Sequence, residues 1–177
     1  MKKILVLLVA VSLIFTMAGF LFADDDTKAH PNCIYCGMDR AQFAQSRMLI
    51  EYDDNSTAAF CSVHCAAVDL ALKIDKTPKS IMVGDYSTRE LIDAENAYWV
   101  LGGAKPGVMT KRGKWAFAAG DAARRFISSN GGKMVSFDDA LKASYEDMNA
   151  DTTMIRNKKK MMRMKQMKSE GMLQHAH

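Results

Sequence analysis

Residues 60–67 read Phe-Cys-Ser-Val-His-Cys-Ala-Ala, and residues 117–124 read Phe-Ala-Ala-Gly-Asp-Ala-Ala-Arg. The two stretches align without a gap, and in each a strand-like segment ends at the phenylalanine and a helix-like segment follows. A later pair, Met82-Val-Gly-Asp85 and Val135-Ser-Phe-Asp138, keeps the same order after a loop of different length. These matches predict an α+β fold made of a duplicated strand–strand–helix–strand module. The alternative is a coincidence between two similar α+β stretches.

Local hydrophobic patterns predict the elements of each copy, because alternation is typical of strands and a period of three to four residues is typical of helices. The first copy is expected to contain three strands and one helix, at 47–52, 57–60, 80–83 and 61–74. The second copy is expected to contain the same set, at 97–101, 114–118, 133–136 and 121–129. A C-terminal helix is expected from Asp138 toward Met148.

Composition divides the chain into four segments. They are a signal peptide or N-terminal anchor at 1–23, a cysteine-bearing metal-binding module at 24–84, a second related module at 85–148, and a basic Met/His-rich tail at 149–177. The polar lead at 24–32 is expected to be flexible. The tail is also expected to be flexible, because a lysine-rich run adds little to a core.

The first 23 residues have the layout of a secretory signal. Lys2 and Lys3 precede an almost uninterrupted apolar run from Ile4 to Phe22, and three aspartates follow Ala23. The run is about 19 residues long, close to the roughly 20 that span a bilayer. An uncleaved anchor that keeps the protein in contact with the membrane is therefore the second interpretation. Both interpretations place the remainder of the chain in the periplasm.

The formal net charge of +4 is unevenly distributed. Two of the 24 basic residues lie in the first 23 positions and seven lie between Arg156 and Lys168. Residues 24–155 keep 15 basic against 19 acidic side chains, a net charge of −4. An acidic body with one short basic segment does not resemble a nucleic-acid-binding protein.

The four cysteines fall into two close pairs. Cys33 and Cys36 form a C-x2-C pair in a predicted turn, and Cys61 and Cys65 form a C-x3-C pair at the start of a predicted helix. A turn pair combined with a helix-start pair is typical of a tetrahedral sulfur site for a metal. Disulfides or thiol exchange are the alternatives, because exported cysteines tend to oxidise. His64, three residues after Cys61, is expected to be a partly exposed helix residue, with a role as a substitute ligand as the alternative.

Methionine sulfur favours copper over zinc. Sulfur-only ligation suits Cu(I) and Zn(II) alike, but thioether sulfur is not a usual zinc ligand. The chain has 14 Met, and one of them, Met109, lies in a Gly/Pro loop without apolar periodicity. The tail methionines are interpreted either as copper ligands or as the apolar face of an amphipathic helix. We predict Cu(I), with Zn(II) as the alternative, bound by Cys33, Cys36, Cys61, Cys65 and Met109.

Seven short segments occur in a characteristic order between residues 30 and 148. They are Cys33-Ile-Tyr-Cys-Gly-Met38, Phe60-Cys61, Val83-Gly-Asp-Tyr-Ser-Thr88, Ala97-Tyr-Trp-Val100, Pro106-Gly-Val-Met109, Trp115-Ala-Phe117 and Gly131-Gly132. Together they resemble the NosL family, the accessory proteins of nitrous oxide reductase. Residues 60–65 also resemble the Phe-Cys-Ser signature of the small TRASH/YHS metal-binding modules, whose fold is treble-clef-like.

The resemblance implies a periplasmic metallochaperone that carries Cu(I) to the copper sites of an exported enzyme, nitrous oxide reductase or another. Its partner would be that enzyme or another copper carrier. The resemblance also implies two related modules, and it assigns Met109 to copper ligation. Typical members have a lipid-bearing cysteine that this chain lacks, and the Cys61/Cys65 pair and the tail are additions.

We expect a protein that is not an enzyme, because no Ser/His/acid set and no phosphate loop is recognisable in the sequence. Two other functions remain open at this point. The first is a structural zinc-binding module for protein interaction, and the second is a thiol–disulfide exchange protein that uses Cys33 and Cys36. In the copper hypothesis the turn pair, which follows a flexible lead, is expected to move and meet a partner, whereas the helix pair is more fixed.

Overall fold

The computed structural model describes residues 26–174, with side chains through residue 169, and the predicted signal segment 1–23 lies outside them. The described chain begins with a short helix, α1 (Asp26–Ala29). Two small antiparallel sheets follow, each with one helix, and a long C-terminal helix completes the fold. Among these residues no helix has both the length and the apolar character that a membrane span requires.

The first sheet is built around strand β1 (Met48–Tyr52). Its neighbours are β2 (Thr57–Phe60) on one side and β3 (Pro78–Gly84) on the other, and β4 (Leu91–Asp93) pairs with the outer edge of β3. All of these pairs are antiparallel. Helix α2 (Val63–Leu72) connects β2 to β3 and thus carries the chain across to the other side of β1.

The second sheet repeats this arrangement. Strand β5 (Tyr98–Leu101) lies between β6 (Lys114–Phe117) and β7 (Lys133–Val135), and helix α3 (Gly120–Asn130) connects the two outer strands. The predicted duplicated strand–strand–helix–strand module is therefore confirmed, with β4 as an unpredicted addition to the first sheet. The treble-clef-like character of the first copy stays a prediction.

The burial pattern of β1 shows why the alternation of side-chain types in the sequence predicted this strand. Met48, Ile50 and Tyr52 are fully buried, whereas Leu49 and Glu51 between them are only partly buried. Successive side chains of a strand point to opposite faces, so one face of β1 contributes its side chains to the core. The hairpin turn after β1 includes Asn55 at a φ of 61°, a left-handed conformation that asparagine tolerates well.

Trp99 joins the two modules in one core. Its ring is 1% exposed, and its indole N–H donates to the carbonyl of Ala94 at 2.8 Å. The ring lies 5.7 Å from the ring of Phe137, at the start of the C-terminal helix. The same buried cluster includes Phe60 and Cys61, so the core extends directly to the cysteines.

The C-terminal helix α4 (Phe137–Gln174) is much longer than predicted. Its first part packs on the body through Ala140, Ala143 and Ser144, whereas the side chains of 156–169 are exposed. The prediction of a flexible tail from residue 149 was wrong through Gln174. Packing of the first turns overcomes the cost of helix nucleation. The continuation is rich in Met, Lys and Arg, which are good helix formers, and contains no Gly or Pro before Gly171.

From Asp26 onward the polar lead is also fixed, contrary to the prediction that it is flexible. Asp26 is 9% exposed, and its carboxylate accepts hydrogen bonds from the buried guanidinium groups of Arg40 and Arg47, at distances down to 2.8 Å. Burial opposes ionisation of Asp26, but the hydrogen bond and charge of Arg47, together with those of Arg40, outweigh it and lower the pKa. This ion cluster attaches α1 to the body directly before the first cysteine pair.

Candidate metal centre

The first cysteine pair lies in a tight turn with its own backbone hydrogen bonds. The amide of Cys33 donates to the carbonyl of Met38 at 2.9 Å, and the amide of Gly37 donates to the carbonyl of Cys33 at 2.9 Å. Gly37 has a φ of 74°, which a residue with a Cβ rarely adopts. The sequence Cys-x-x-Cys-Gly-Met therefore folds back on itself and directs both thiols toward the start of α2.

The second pair lies where β2 passes into α2. Cys61 directly follows the strand, and Cys65 lies in the first turn of the helix. The hydroxyl of Ser46 donates to the carbonyl of Cys61 at 2.8 Å. The hydroxyl of Ser62, at the helix N-cap, donates to the carbonyl of Val108 at 3.0 Å. These bonds hold the second pair and connect it to the loop that precedes Met109.

The four sulfur atoms converge. All four Sγ atoms lie within 4.8 Å of one another, with 3.4 Å between Cys36 and Cys61 and 3.9 Å between Cys61 and Cys65. A disulfide needs about 2.05 Å, and the four cysteines are free thiols. A tetrahedral ion with metal–sulfur bonds of about 2.3 Å would set its sulfurs about 3.8 Å apart. The cluster therefore has the dimensions of a four-thiolate metal site.

The four thiols differ in burial and in acidity. Cys33, Cys61 and Cys65 are buried, whereas Cys36 is partly exposed. Hydrogen bonds from Cys36, Cys61 and Cys65 lower the pKa of Cys33, and hydrogen bonds with Cys33, Cys36 and Cys61 together with burial raise the pKa of Cys65. For Cys36 the hydrogen bond with Cys33 favours the thiol, but those from Cys61 and Cys65 outweigh it and lower its pKa to about 7. Cys36 is thus the accessible member of the cluster, and its pKa is lowered as that of the buried Cys33 is.

Cys36 also borders a cavity of about 630 Å³, and several methionines line this cavity. Met38 and Met109 line this cavity, although the two residues are 71 positions apart in the sequence. Met38 comes from the cysteine turn of the first module, and Met109 comes from the loop between β5 and β6 of the second. The structure therefore brings all five predicted ligands into one region, with Met109 facing the cavity that the cluster opens onto.

The backbone at Met109 is strained. Its φ is 63°, a conformation that costs a non-glycine residue roughly 1–3 kcal/mol and that recurs at functional sites. Two contacts maintain it. Val108 accepts the bond from Ser62, and the amide of Lys111 donates to the buried carboxylate of Asp151 in α4 at 3.4 Å. The loop is thus held between α2 and α4.

A second layer of contacts fixes the turn against α2. The hydroxyl of Tyr35 donates to Asp69 at 2.6 Å, and the hydroxyl of Tyr52 donates to the other oxygen of the same carboxylate. Burial and the hydrogen bond to Asp69 raise the pKa of both tyrosines, so both keep their protons at neutral pH. The sequence offered little signal for this network. Asp69 resembles an ordinary exposed helix residue, and only the packing of α2 against the cysteine turn shows that it is buried.

His64 is buried, so the prediction of a partly exposed residue was wrong. It is 3% exposed, and its Nδ1 lies 3.4 Å from the carboxylate of Asp151, without the geometry of a hydrogen bond. Burial lowers the pKa of His64, although the charge of Asp151 opposes this. In the described part of the chain the cluster of metal-binding groups contains the four cysteines and not His64. Helix α4, which covers this face of α2, explains the burial.

Two small antiparallel sheets with repeated topology, one long helix and a cluster of four free thiols define an α+β protein with a candidate sulfur metal centre. The family model of NosL matches residues 25–145, more than half of the chain, and the chain belongs to the NosL family.

The fold is similar to a solved structure. The crystal structure of the copper chaperone NosL from Shewanella denitrificans aligns with a TM-score of 0.50 and 24% sequence identity. The alignment covers 60% of this chain and 87% of that chain. No curated protein sequence matches the chain.

Proposed function

We propose that the protein is a periplasmic metallochaperone that binds Cu(I) and delivers it to an exported copper enzyme, with nitrous oxide reductase as the leading candidate. One observation carries the proposal. Four convergent thiols open, through the partly exposed Cys36, onto a cavity lined by the thioethers of Met38 and Met109. Membership of the NosL family and the similarity to a copper chaperone support it.

The chemistry of the donor set suits Cu(I). Thiolate and thioether sulfur are soft ligands, and Cu(I) prefers them. A carrier must also release its ion, and an accessible ligand is the one that an incoming partner can replace first. Cys36 meets this requirement, because it is the partly exposed thiol and ionises near neutral pH. We assign Cys36 and Met109 to the exchangeable side of the site, and Cys33, Cys61 and Cys65 to its buried side.

Anaerobic titration of the purified reduced protein with Cu(I), in competition with a copper chelator, tests the proposal. We expect tight Cu(I) binding that survives an excess of Zn(II). Met109→Leu keeps the volume of the side chain but removes its sulfur, and we expect at least about tenfold weaker Cu(I) binding, the scale on which changes around metal ligands act. Met134→Leu, on the edge strand β7, is the matched control and should bind as the unchanged protein does.

A structural zinc site is the second candidate function. It is favoured by one observation, the burial of three of the four cysteines in the core, which is typical of a closed site. A protein that retains Zn(II) and ignores Cu(I) under anaerobic conditions would establish it and refute the copper proposal. The third hypothesis, thiol–disulfide exchange, predicts instead that a reversible disulfide forms between Cys33 and Cys36 without any metal.

A further inference from the structure

Helix α4 forms one wall of the cavity beside the cysteine cluster. Five residues of the helix line it: Met154, Ile155, Lys158, Lys159 and Met162. The opposite wall contains Cys36, Met38 and Met109. Four thioethers and one thiol thus border a single space of about 630 Å³. Met154 and Met162 follow the part of the chain that matches the NosL family, which ends at residue 145.

The position of this helical wall is fixed by ion pairs one to two turns earlier. Arg112 and Lys114, which flank the end of the Met109 loop, contact the carboxylate of Asp147 at 2.8 and 2.7 Å. The amide of Lys111 donates to Asp151. These contacts fix the distance between α4 and the Met109 loop just before the part of the helix that lines the cavity.

Helical geometry then places the two methionines. An α-helix has 3.6 residues per turn, so residues three, four, seven or eight positions apart share a face. Met154 follows Asp151 by three residues, and Met162 follows Met154 by eight. The face of α4 that contacts the loop is consequently the face that presents both methionines to the cavity.

We propose that Met154 is a thioether ligand of a second Cu(I) position in this cavity, next to the cysteine cluster, and that Met162, about 12 Å further along α4, is the outer thioether from which the ion passes to it. The proposal rests on the proposed copper function and adds the part of α4 that lies beyond the family match. Four lysines also line the cavity and disfavour a cation that is held by charge alone: Lys105, Lys111, Lys158 and Lys159. A singly charged ion bound by soft, neutral sulfur is the cation that this lining accepts.

The second position provides a route to the cysteine cluster. Met162 is 62% exposed, whereas Met109 and Met154 are partly buried and Cys36 borders both the cavity and the thiols. The sulfur ligands thus run from solvent to the core. Cu(I) would move along them by replacement of one ligand at a time, with no change in oxidation state and no covalent step.

The test uses the full chain with 13C-labelled methionine methyl groups, reduced and free of metal. Cu(I) is added anaerobically against a chelator, and the methyl resonances of Met154 and Met162, assigned by single Met→Leu variants, are followed. We expect the resonance of Met154 to shift as the second equivalent binds, and that of Met162 to shift with it because the ion exchanges between the two thioethers. The double variant Met154→Leu, Met162→Leu should lose that equivalent and keep the first.

The matched control is the double variant Met164→Leu, Met167→Leu. Both residues are exposed, at 52% and 64%, and neither lines the cavity. We expect this control to bind both equivalents. Equal stoichiometry in the two double variants, or resonances of Met154 and Met162 that do not move, would refute the second position. If the first double variant fails to fold, the methyl shifts of the unchanged protein still decide.

The two proposals fail differently. If the unchanged protein binds no Cu(I), the copper function itself is refuted. If it binds one equivalent through its thiols while Met154 and Met162 stay unperturbed, the copper function stands and only the second position is refuted.

Discussion

Cys36 combines two properties that set its reactivity. It is partly exposed, and its pKa is lowered to about 7. The thiolate is the form that attacks electrophiles and binds metals. At neutral pH the metal-free protein therefore presents one reactive thiolate at the surface of a largely buried cluster.

The first prediction concerns the pH dependence of this thiol. A lowered pKa means that the thiolate forms at lower pH than in an ordinary cysteine, so the alkylation rate of Cys36 should rise through pH 7 rather than through pH 9. Stopped-flow alkylation of the reduced, metal-free protein measures this rate. Cys36→Ser should remove the phase. A midpoint near pH 9 would show that the cluster does not acidify Cys36.

The second prediction concerns the division of work among the cysteines. Because Cys33 is buried and Asp26 in the lead before it is held by an ion pair, the pair Cys33/Cys36 is not the mobile unit that the sequence suggested. Cys36→Ser should abolish the transfer of Cu(I) to an acceptor and change the metal-free melting temperature little. Cys→Ser changes at Cys33, Cys61 or Cys65 should also lower the metal-free melting temperature, since each puts a polar hydroxyl at a buried position.

Thermal melts of the four single Cys→Ser variants, with and without metal, check this prediction. A drop of similar size in all four variants would contradict the distinction and favour one closed structural site.

At the scale of elements, the two parts of α4 are stabilised in different ways. Its first four turns bury Ala140, Ala143, Ser144 and Asp151 against the body. Its later turns, at 156–169, expose their side chains and depend on intrinsic helix propensity. Only the first part contributes to the stability of the fold.

The third prediction tests these two parts. Deletion of residues 156–177 should leave cooperative unfolding intact and shift the melting temperature little, because exposed side chains contribute few contacts. Deletion from residue 147 should destabilise the protein strongly, because Arg112 and Lys114 then lose Asp147 and the amide of Lys111 loses Asp151. Calorimetry of both truncated proteins measures the difference. Equal melting temperatures would show that the ion pairs do not hold the loop.

The repeated module was predictable because its strands and helices show periodic patterns over four or more residues. The cysteine cluster was predictable because the two cysteines of each pair are close in the sequence. The burial of His64 and Asp69 was not predictable, since the residues that contact them are distant in the sequence. A lysine-rich run likewise does not reveal whether it continues an anchored helix, and the fixed lead depends on Arg40 and Arg47, whose ion pairs with Asp26 form only in the folded chain.

For the whole molecule, the candidate site lies where the two modules meet. The thiols belong to the first module, Met109 belongs to the second, and Ser62 joins them through Val108. A ligand that binds the folded protein and not the unfolded chain stabilises the fold by mass action. Metal binding should therefore stabilise both modules together.

The fourth prediction concerns how much metal binding stabilises the folded protein. Free Cu(I) at 100 times the dissociation constant should raise the free energy of unfolding by about 2.7 kcal/mol. A chain of this length gains about 2–4 °C per kcal/mol, so the melting temperature should rise by roughly 5–10 °C in a single transition. Anaerobic calorimetry records it. Two separate transitions, of which only one moves, would show that the modules unfold independently.

The exposed end of α4 also affects how the molecule diffuses. Residues 156–169 rise about 21 Å along the helix axis, at 1.5 Å per residue, without packing of their side chains on the body. A rod of this length gives a small protein an asymmetric outline, with slower sedimentation and a longer maximum dimension in solution scattering than a sphere of equal mass. The same rod restricts collisions, because a large partner can reach the cavity beside α4 only from the side that the helix leaves open.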